Sequence, residues 1–453
     1  MQTRRAFLLT ALGAAATAFL TQLSYSAEGN VEPSFRAGAG KAWVTFEGMN
    51  WPVDGFSGQH DLLGVRALLL EHARTRFCFV VVELTSLSDE MIDDMKVLIQ
   101  EKTHAPVENI LVCASHTFSA PHVFPSAHIP PGTSKVQNQD MLNRFKNALL
   151  TAVTQATDHL QPARIGFGSG SCQVNISRDQ PGEKGWWLGI NADGFADPFV
   201  GVVRIDNQQG QPLAVLFNYA VQSSVTEDFQ PTSEGKKISA DLAGSTARYI
   251  EEHAAADMVA LFLVGAAGDQ APIFQAMQTV VNDNGSASRI SNHVDAFELL
   301  HQLATRLGRE VMKVLDTITT STPTRLQMVR DQIPVPALNF SPENAPKGPV
   351  TTFRYQPAGN IKVPVTLMQM GNIIWIGLQP ELSAITATYI REHSPFQHTF
   401  VSTMVNGSAK YMPDAQSYDR FTYEARSSPF ARGAAEFVAT AIIKQLEILH
   451  ANA

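Results

Sequence analysis

Residues 77–82, Phe-Cys-Phe-Val-Val-Val, form an unbroken run of apolar side chains. A strand with one wet face alternates apolar and polar residues, so a run with no polar member needs cover on both faces. Ser88 then stands where a helix cap belongs, with Asp89 and Glu90 placed to favour the positive end of the helix dipole. Met91, Met95, Leu98 and Ile99 share one face of that helix, and residues 110–114 supply a second apolar run. Strand, helix and strand in this order predict a βαβ unit with parallel strands.

The same kind of run recurs at residues 213–219, 259–264 and 373–378. Spacings of three to four predict further helices: one on Leu142, Phe145, Leu149, Val153 and Leu160, one from Val294 to Val314, and one over about 434–449. Long loops rich in Pro, Gly, Asn and Ser fall at 124–137, 177–197, 282–291 and 339–350, and none has the sustained composition of an interdomain linker. The fold class expected is α/β, a single large domain over 27–453. Its sheets would be mixed and largely parallel, flanked by helices, with a ligand site at the carboxyl ends of the strands. Hydrophobic residues at 44% and charged residues at 17% exclude a disordered chain, a coiled coil and a polytopic membrane protein. The net charge of −8 is unsuited to binding nucleic acid by charge.

Residues 1–26 read as an export signal of twin-arginine type. Arg4 and Arg5 precede an apolar stretch over 6–20, and the small residues Ser24 and Ser26 are placed for cleavage after Ser26. That stretch is short of the roughly 20 residues a membrane span needs, which favours a cleaved signal over an uncleaved anchor. The expected location is periplasmic or secreted, with no transmembrane segment once the signal is removed. Cys78 and Cys113 sit inside apolar runs and read as core residues. Three cysteines with no close pair argue against a disulfide framework and against a cysteine zinc site.

Each strong strand runs into a polar loop: Ser115-His116-Thr117-Phe118-Ser119, Val221-Gln222-Ser223-Ser224, Gly265 to Pro272, and Gln379-Pro380-Glu381. Were the strands parallel neighbours, these loops would share one rim. His116 there is a zinc ligand or a histidine bonded to loop backbone. Glu381 needs a cation or several donors, or is a partner of the helix that starts near Ser383. The Gly265 loop lacks the Lys-Ser/Thr ending and the glycine spacing of nucleotide cradles.

Taken in order, these blocks resemble the catalytic domain of the neutral/alkaline, non-lysosomal ceramidase family. Ala37-Gly38-Ala39-Gly40-Lys41-Ala42 is similar to its opening strand, and His60-Asp61-Leu62-Leu63-Gly64-Val65-Arg66 to its next block. Ser115-His116-Thr117-Phe118-Ser119-Ala120-Pro121 resembles Ser-His-Thr-His-Ser-Gly-Pro, and Asp197-Pro198-Phe199-Val200-Gly201-Val202-Val203-Arg204 resembles Asp-Pro-x-Val-Gly-Val-x-Arg. Ser239 to Gly244, Gly265 to Pro272, Gly377 to Glu381, and Tyr411-Met412-Pro413 with Tyr423-Glu424-Ala425 complete the series. No counterpart of the family's carboxy-terminal immunoglobulin-like domain is expected, since the sequence stops just after its last helix.

The resemblance implies a catalytic zinc held by two histidines, a glutamate and a tyrosine, and a serine that attacks the ceramide amide. His116, Glu381 and Tyr411 fall at three of the ligand positions. Gln222 stands at the second histidine, Ala271 at the serine, and Phe118 at the histidine two places after His116. Gln222 is a weaker zinc donor than imidazole, and Ala271 has no oxygen with which to attack. A zinc-activated water remains as nucleophile, with Asp241 or Asp269 as base; the alternatives are a helix cap at Asp241 and a turn former at Asp269. Trp186 and Trp187 form the wall of a ligand pocket or staple a long loop to the core. Asn175 and Arg178 hold a polar head group, or Arg178 pairs with an acid such as Asp179. Two main functional readings result: a zinc-dependent hydrolase of an amide or ester bond in a lipid-like substrate, and a non-catalytic lipid- or ligand-binding protein on the same fold. A structural or partner-binding protein is the third.

Overall fold

A computed structural model describes residues 35–452 apart from 74, 232–234 and 342–344; the expected signal over 1–26 lies outside the described residues. Eight strands form the larger sheet: β1 (Phe35–Val44), β2 (Leu63–His72), β3 (Thr75–Val82), β4 (Ile110–Ala114), β5 (Gln161–Ser171), β6 (Phe199–Asn207), β7 (Pro212–Tyr219) and β8 (Val259–Val264). Their order across the sheet is β8-β7-β6-β5-β1-β2-β3-β4. A second sheet contains β9 (Leu326–Leu338), β10 (Pro357–Met370), β11 (Ile373–Leu378) and β12 (His398–Ser402), in that order.

Side chains alternate strictly along the central strands, and the alternation builds the layers. In β3, Phe77, Phe79 and Val81 face the second sheet's Trp375 and Phe400, while Cys78, Val80 and Val82 face helices. Those helices are α1 (Asp89–Thr103) and α2 (Lys135–Asp158); α3 (Asp241–His253) and α4 (Ala296–Leu315) cover the same face over β6 to β8. The outer face of the second sheet is covered by α5 (Ala384–His393) and by the last long helix, Ala434–Ala451. The result is helices, sheet, sheet, helices. Apolar runs were required where a strand is dry on both faces, as β3, β4, β8 and β11 are.

Local predictions are realised in detail. Ser88 Oγ accepts from the Met91 N–H at 3.2 Å, and Met91, Met95 and Ile99 are buried. Gly38 and Gly40 lie where a Cβ would collide with the backbone carbonyls of Ala156 and Ala152, so glycine here lets α2 rest directly on β1. Cys78 and Cys113 are buried, and burial pushes both thiols up to about 12.

Three expectations change. The sheets are mixed, but in the two large ones only β3–β4, β7–β8 and β11–β12 run parallel, because hairpin-like returns join most other neighbours. The loop at 177–197 contains paired strands, Asn175–Gln180 with Trp187–Asn191, and 282–291 is half of a hairpin formed by Met277–Val281 and Ala287–Ser291. Val294 is exposed ahead of α4, which starts at Ala296 after the Asp295 cap. Among the described residues no helix is long and apolar enough to cross a membrane.

Candidate active site

The parallel pairs are the strands that carry the polar loops, so their carboxyl ends bring those loops together. Beyond β4, Phe118 N–H donates to Ser223 O (2.9 Å) and Ser223 N–H to His116 O (3.3 Å), which zips the His116 loop to the Gln222 loop beyond β7. Beyond β11, Glu381 and Leu382 pair in parallel with Tyr411 and Met412. Gly268 N–H donates to Leu382 O at 2.9 Å, an approach that a Cβ on Gly268 would obstruct. His116, Asp241 and Lys410 all adopt left-handed backbone, with φ of 59°, 49° and 59°. Strain of this kind, about 1–3 kcal/mol per residue, persists only where surrounding contacts fix it.

His116 and Glu381 meet. His116 Nε2 lies 3.0 Å from Glu381 Oε2, and Nδ1 lies 2.7 Å from Thr85 O. Both neighbours accept hydrogen bonds, so an imidazolium with two N–H groups satisfies the geometry best. Burial alone lowers the His116 value; Glu381 overcomes it and raises the pKa above the ordinary one. Burial likewise pushes the Glu381 carboxyl up, but His116 and Arg178 hold it below the usual carboxylate range. Burial keeps the Tyr411 phenol protonated.

Gln222 joins this pair to a second one. Its Nε2 donates to Glu381 Oε2 at 3.2 Å, and its Oε1 accepts from an Arg178 terminal nitrogen at 2.7 Å. Arg178 is ion-paired with Glu424 at 2.6 Å and lies 5.2 Å from the centre of the Tyr411 ring. Arg178's partner is therefore Glu424 and not Asp179. Burial, followed by the Glu424 charge, pushes Asp179 well above its ordinary value, so Asp179 keeps its proton. The guanidinium is positioned by the short ladder between Asn175–Gln180 and Gln270–Pro272 and by its backbone N–H, which donates to Asp269 O at 3.0 Å.

The other expected residues sit around this network. Asp241 accepts from Val225 and Thr226 N–H at 2.9 and 2.8 Å, from Leu242 N–H at 2.7 Å and from the Ser119 hydroxyl at 3.1 Å. Such a carboxylate ties the start of α3 to two loops and has no lone pair to spare for a water. Asp269 accepts from Ala384 N–H at 2.8 Å at the start of α5, and burial pushes its carboxyl up to about 7. Asn175 is a buried hub: it donates to Asp197 O and Ala220 O and accepts from the Tyr219 hydroxyl at 2.6 Å. Trp187 packs edge-on against Tyr423, while Trp186 lies under the Arg420 guanidinium.

Beside the network opens a cavity of roughly 450 Å³. Phe118, Gln222, Ala271, Arg178 and Tyr411 line its inner end, and Leu188, Ile190, Met277 and Val280 its walls. His116 and Glu381 are not among its lining residues. Glu424, Tyr423 and the hairpin over 277–291 were not singled out from the sequence as parts of the site. Glu424 had one legible sign, an acid two places after the Thr422 cap in a short segment, Tyr-Glu-Ala, already matched to the ceramidase pattern. The hairpin had none, since Gly, Asn and Ser between its strands read as loop.

The fold of this chain is shared with structures already solved. Over 93% of this chain and 75% of the other, it superimposes on the neutral ceramidase of Pseudomonas aeruginosa with a TM-score of 0.69 and 18% identity. A ceramidase structure described as complexed with C2 gives 0.69 and 17% over 93% and 76%. The chain thus has the neutral ceramidase fold. No family model matches it, and no curated protein matches it in sequence.

That fold implies zinc, and the donor set here does not fit it. Among the described residues no three His, Cys, Asp or Glu side chains converge as a metal site. The Gln222 carbonyl oxygen, its one ligand atom, is engaged by Arg178, and the N–H group turned toward Glu381 cannot coordinate a cation.

Proposed function

We propose that this protein is an exported, ceramidase-like binding protein that holds a lipid-like molecule with an uncharged amide, ester or hydroxyl head, without the zinc chemistry implied by its fold. The observation that carries the reading is the inner end of the cavity. Phe118, Ala271 and Gln222 face the ligand space, while the His116–Glu381 pair lies outside that lining. Both arginines on the cavity are already neutralised, Arg178 by Glu424 and Arg289 by Glu227 at 2.6 Å. An ionic head would have to displace the buried Glu424 or the half-buried Glu227, whereas Gln275, Gln278 and Asn292 offer neutral hydrogen bonds. Export rests on Arg4, Arg5 and the apolar stretch after them.

The test is thermal unfolding with short-chain ceramides and the matching acyl esters. A ligand at 100 times its Kd adds about 2.7 kcal/mol of stability, a shift of several degrees. No shift with any of them at the solubility limit would sink the proposal. A second reading, hydrolysis without a metal, would draw on Asp269, which lies beside the cavity two places before Ala271, bonds the Arg178 backbone N–H through its own backbone oxygen and has its carboxyl pushed up to about 7. Fatty acid released in the presence of a chelator, and lost in Asp269→Asn, would establish it.

A further inference from the structure

We infer that Gln222 is the residue that closes this site to a metal ion, and that His116 in direct contact and Arg178 through Gln222 together supply the positive charge Glu381 would otherwise take from one. The inference rests on the absence of zinc chemistry in the reading above and says how that chemistry was displaced. The orientation of the amide is fixed by its neighbours. A guanidinium has only donors and an ionised carboxylate only acceptors, so Oε1 must face Arg178 and Nε2 must face Glu381. Rotating the amide by 180° would set N–H against N–H and oxygen against oxygen. The group turned toward His116 and Glu381 is therefore a donor, where a ligand would need a lone pair.

Arg178 cannot withdraw to free that oxygen. Its guanidinium is paired with Glu424 at 2.6 Å and held over the Tyr411 ring. Glu424 is 1% exposed and Arg178 8%, so breaking the pair would strand two charges away from water. A divalent ion between His116 and Glu381 would meet an inward N–H and, one amide away, a fixed cation. Imidazole at position 222 changes this, because its proton can sit on either ring nitrogen, so the nitrogen turned inward can carry the lone pair. Glutamate changes it too: it keeps the volume and the bond to Arg178, and replaces the inward N–H by oxygen.

The test is zinc binding to the full purified chain, by calorimetry and by metal analysis after dialysis, in wild type, His116→Ala, Gln222→His, Gln222→Glu and Gln222→His with His116→Ala. Changing a group that merely supports a ligand costs about 10–100-fold in metal affinity. We therefore expect wild type to bind at least about 100-fold more weakly than Gln222→His. Gln222→His should hold near one zinc per chain, with a zinc-dependent rise in Tm that His116→Ala abolishes, and Gln222→Glu, the variant closest in shape, should gain zinc as well. Stoichiometric zinc in wild type, lost with His116→Ala, would overturn the inference. So would folded Gln222→His and Gln222→Glu proteins that bind zinc no better than wild type. Failure of lipid binding in the same wild-type sample would count against the proposed function and leave the zinc result standing.

Discussion

The Asp269 carboxylate caps α5 from a distance: its Oδ1 accepts from Ala384 N–H, while Ser383, the residue in the cap position, gives its side chain to Asp414 N–H and not to the helix. Burial holds this carboxyl at about 7 against an ordinary 3.8. Between those values the folded protein keeps a proton that the unfolded chain releases, so stability falls as pH rises from about 4 to about 7. Asp179, displaced in the same direction, adds to the slope. Asp269→Asn keeps an acceptor for Ala384 and removes the titration. Its plot of Tm against pH should be flatter over that window; a curve parallel to wild type would show that the proton is not held there. His116 acts on the alkaline side: its raised value means that stability from the pair with Glu381 is lost as pH climbs through it.

At the scale of elements, the cavity wall is made by segments whose sequence looked like loop. The strand Trp187–Asn191 turns Leu188 and Ile190 to the cavity, and the hairpin of Met277–Val281 with Ala287–Ser291 closes it from the side. Neither element has a core of its own; each is stable only against the site beneath it. Leu188→Asp puts a charge on the apolar wall with no partner, leaving the two main sheets untouched. We expect it to abolish the ligand-induced Tm shift while altering the unliganded Tm by little. Retention of the full shift would place the ligand elsewhere.

For the whole molecule, stability depends on the contact between the two sheets. Trp375 on β11 is 0% exposed, packs edge-on to Phe79 of β3 at 5.1 Å between ring centres, and donates its indole N–H to Ser402 Oγ at 2.8 Å. Trp375→Ala would empty the middle of that interface at a cost of about 3–5 kcal/mol. Chemical denaturation should show it, with loss of zinc-independent ligand binding as the loops at the sheet ends lose their footing. A cost below about 1 kcal/mol would mean that the sheets do not depend on this contact.

The strands at 77–82, 110–114, 213–219, 259–264 and 373–378, α1 with its Ser88 cap, and the cover of the sheets by helices were legible in the sequence because hydrophobic period and cap chemistry are local; strands of mixed composition such as Gln161–Ser171 and Pro357–Met370 were not. The blocks around His116, Gln222, Gly268 and Glu381 pointed to one rim for the same reason: each follows an apolar strand directly. Strand direction was legible only where a helix joins the two strands, as in the parallel pair β3–β4; elsewhere an apolar run is the same read either way and pairing is settled only when sheets assemble. The roles of Gln222 and Arg178 were decided by tertiary structure alone. A glutamine is a possible ligand until its two neighbours are known, and those neighbours, Arg178 and Glu381, are 44 and 159 residues away in the chain. Sequence placed the residues of this site at the ends of strands; only the fold determined which of them face a ligand and which are held by one another.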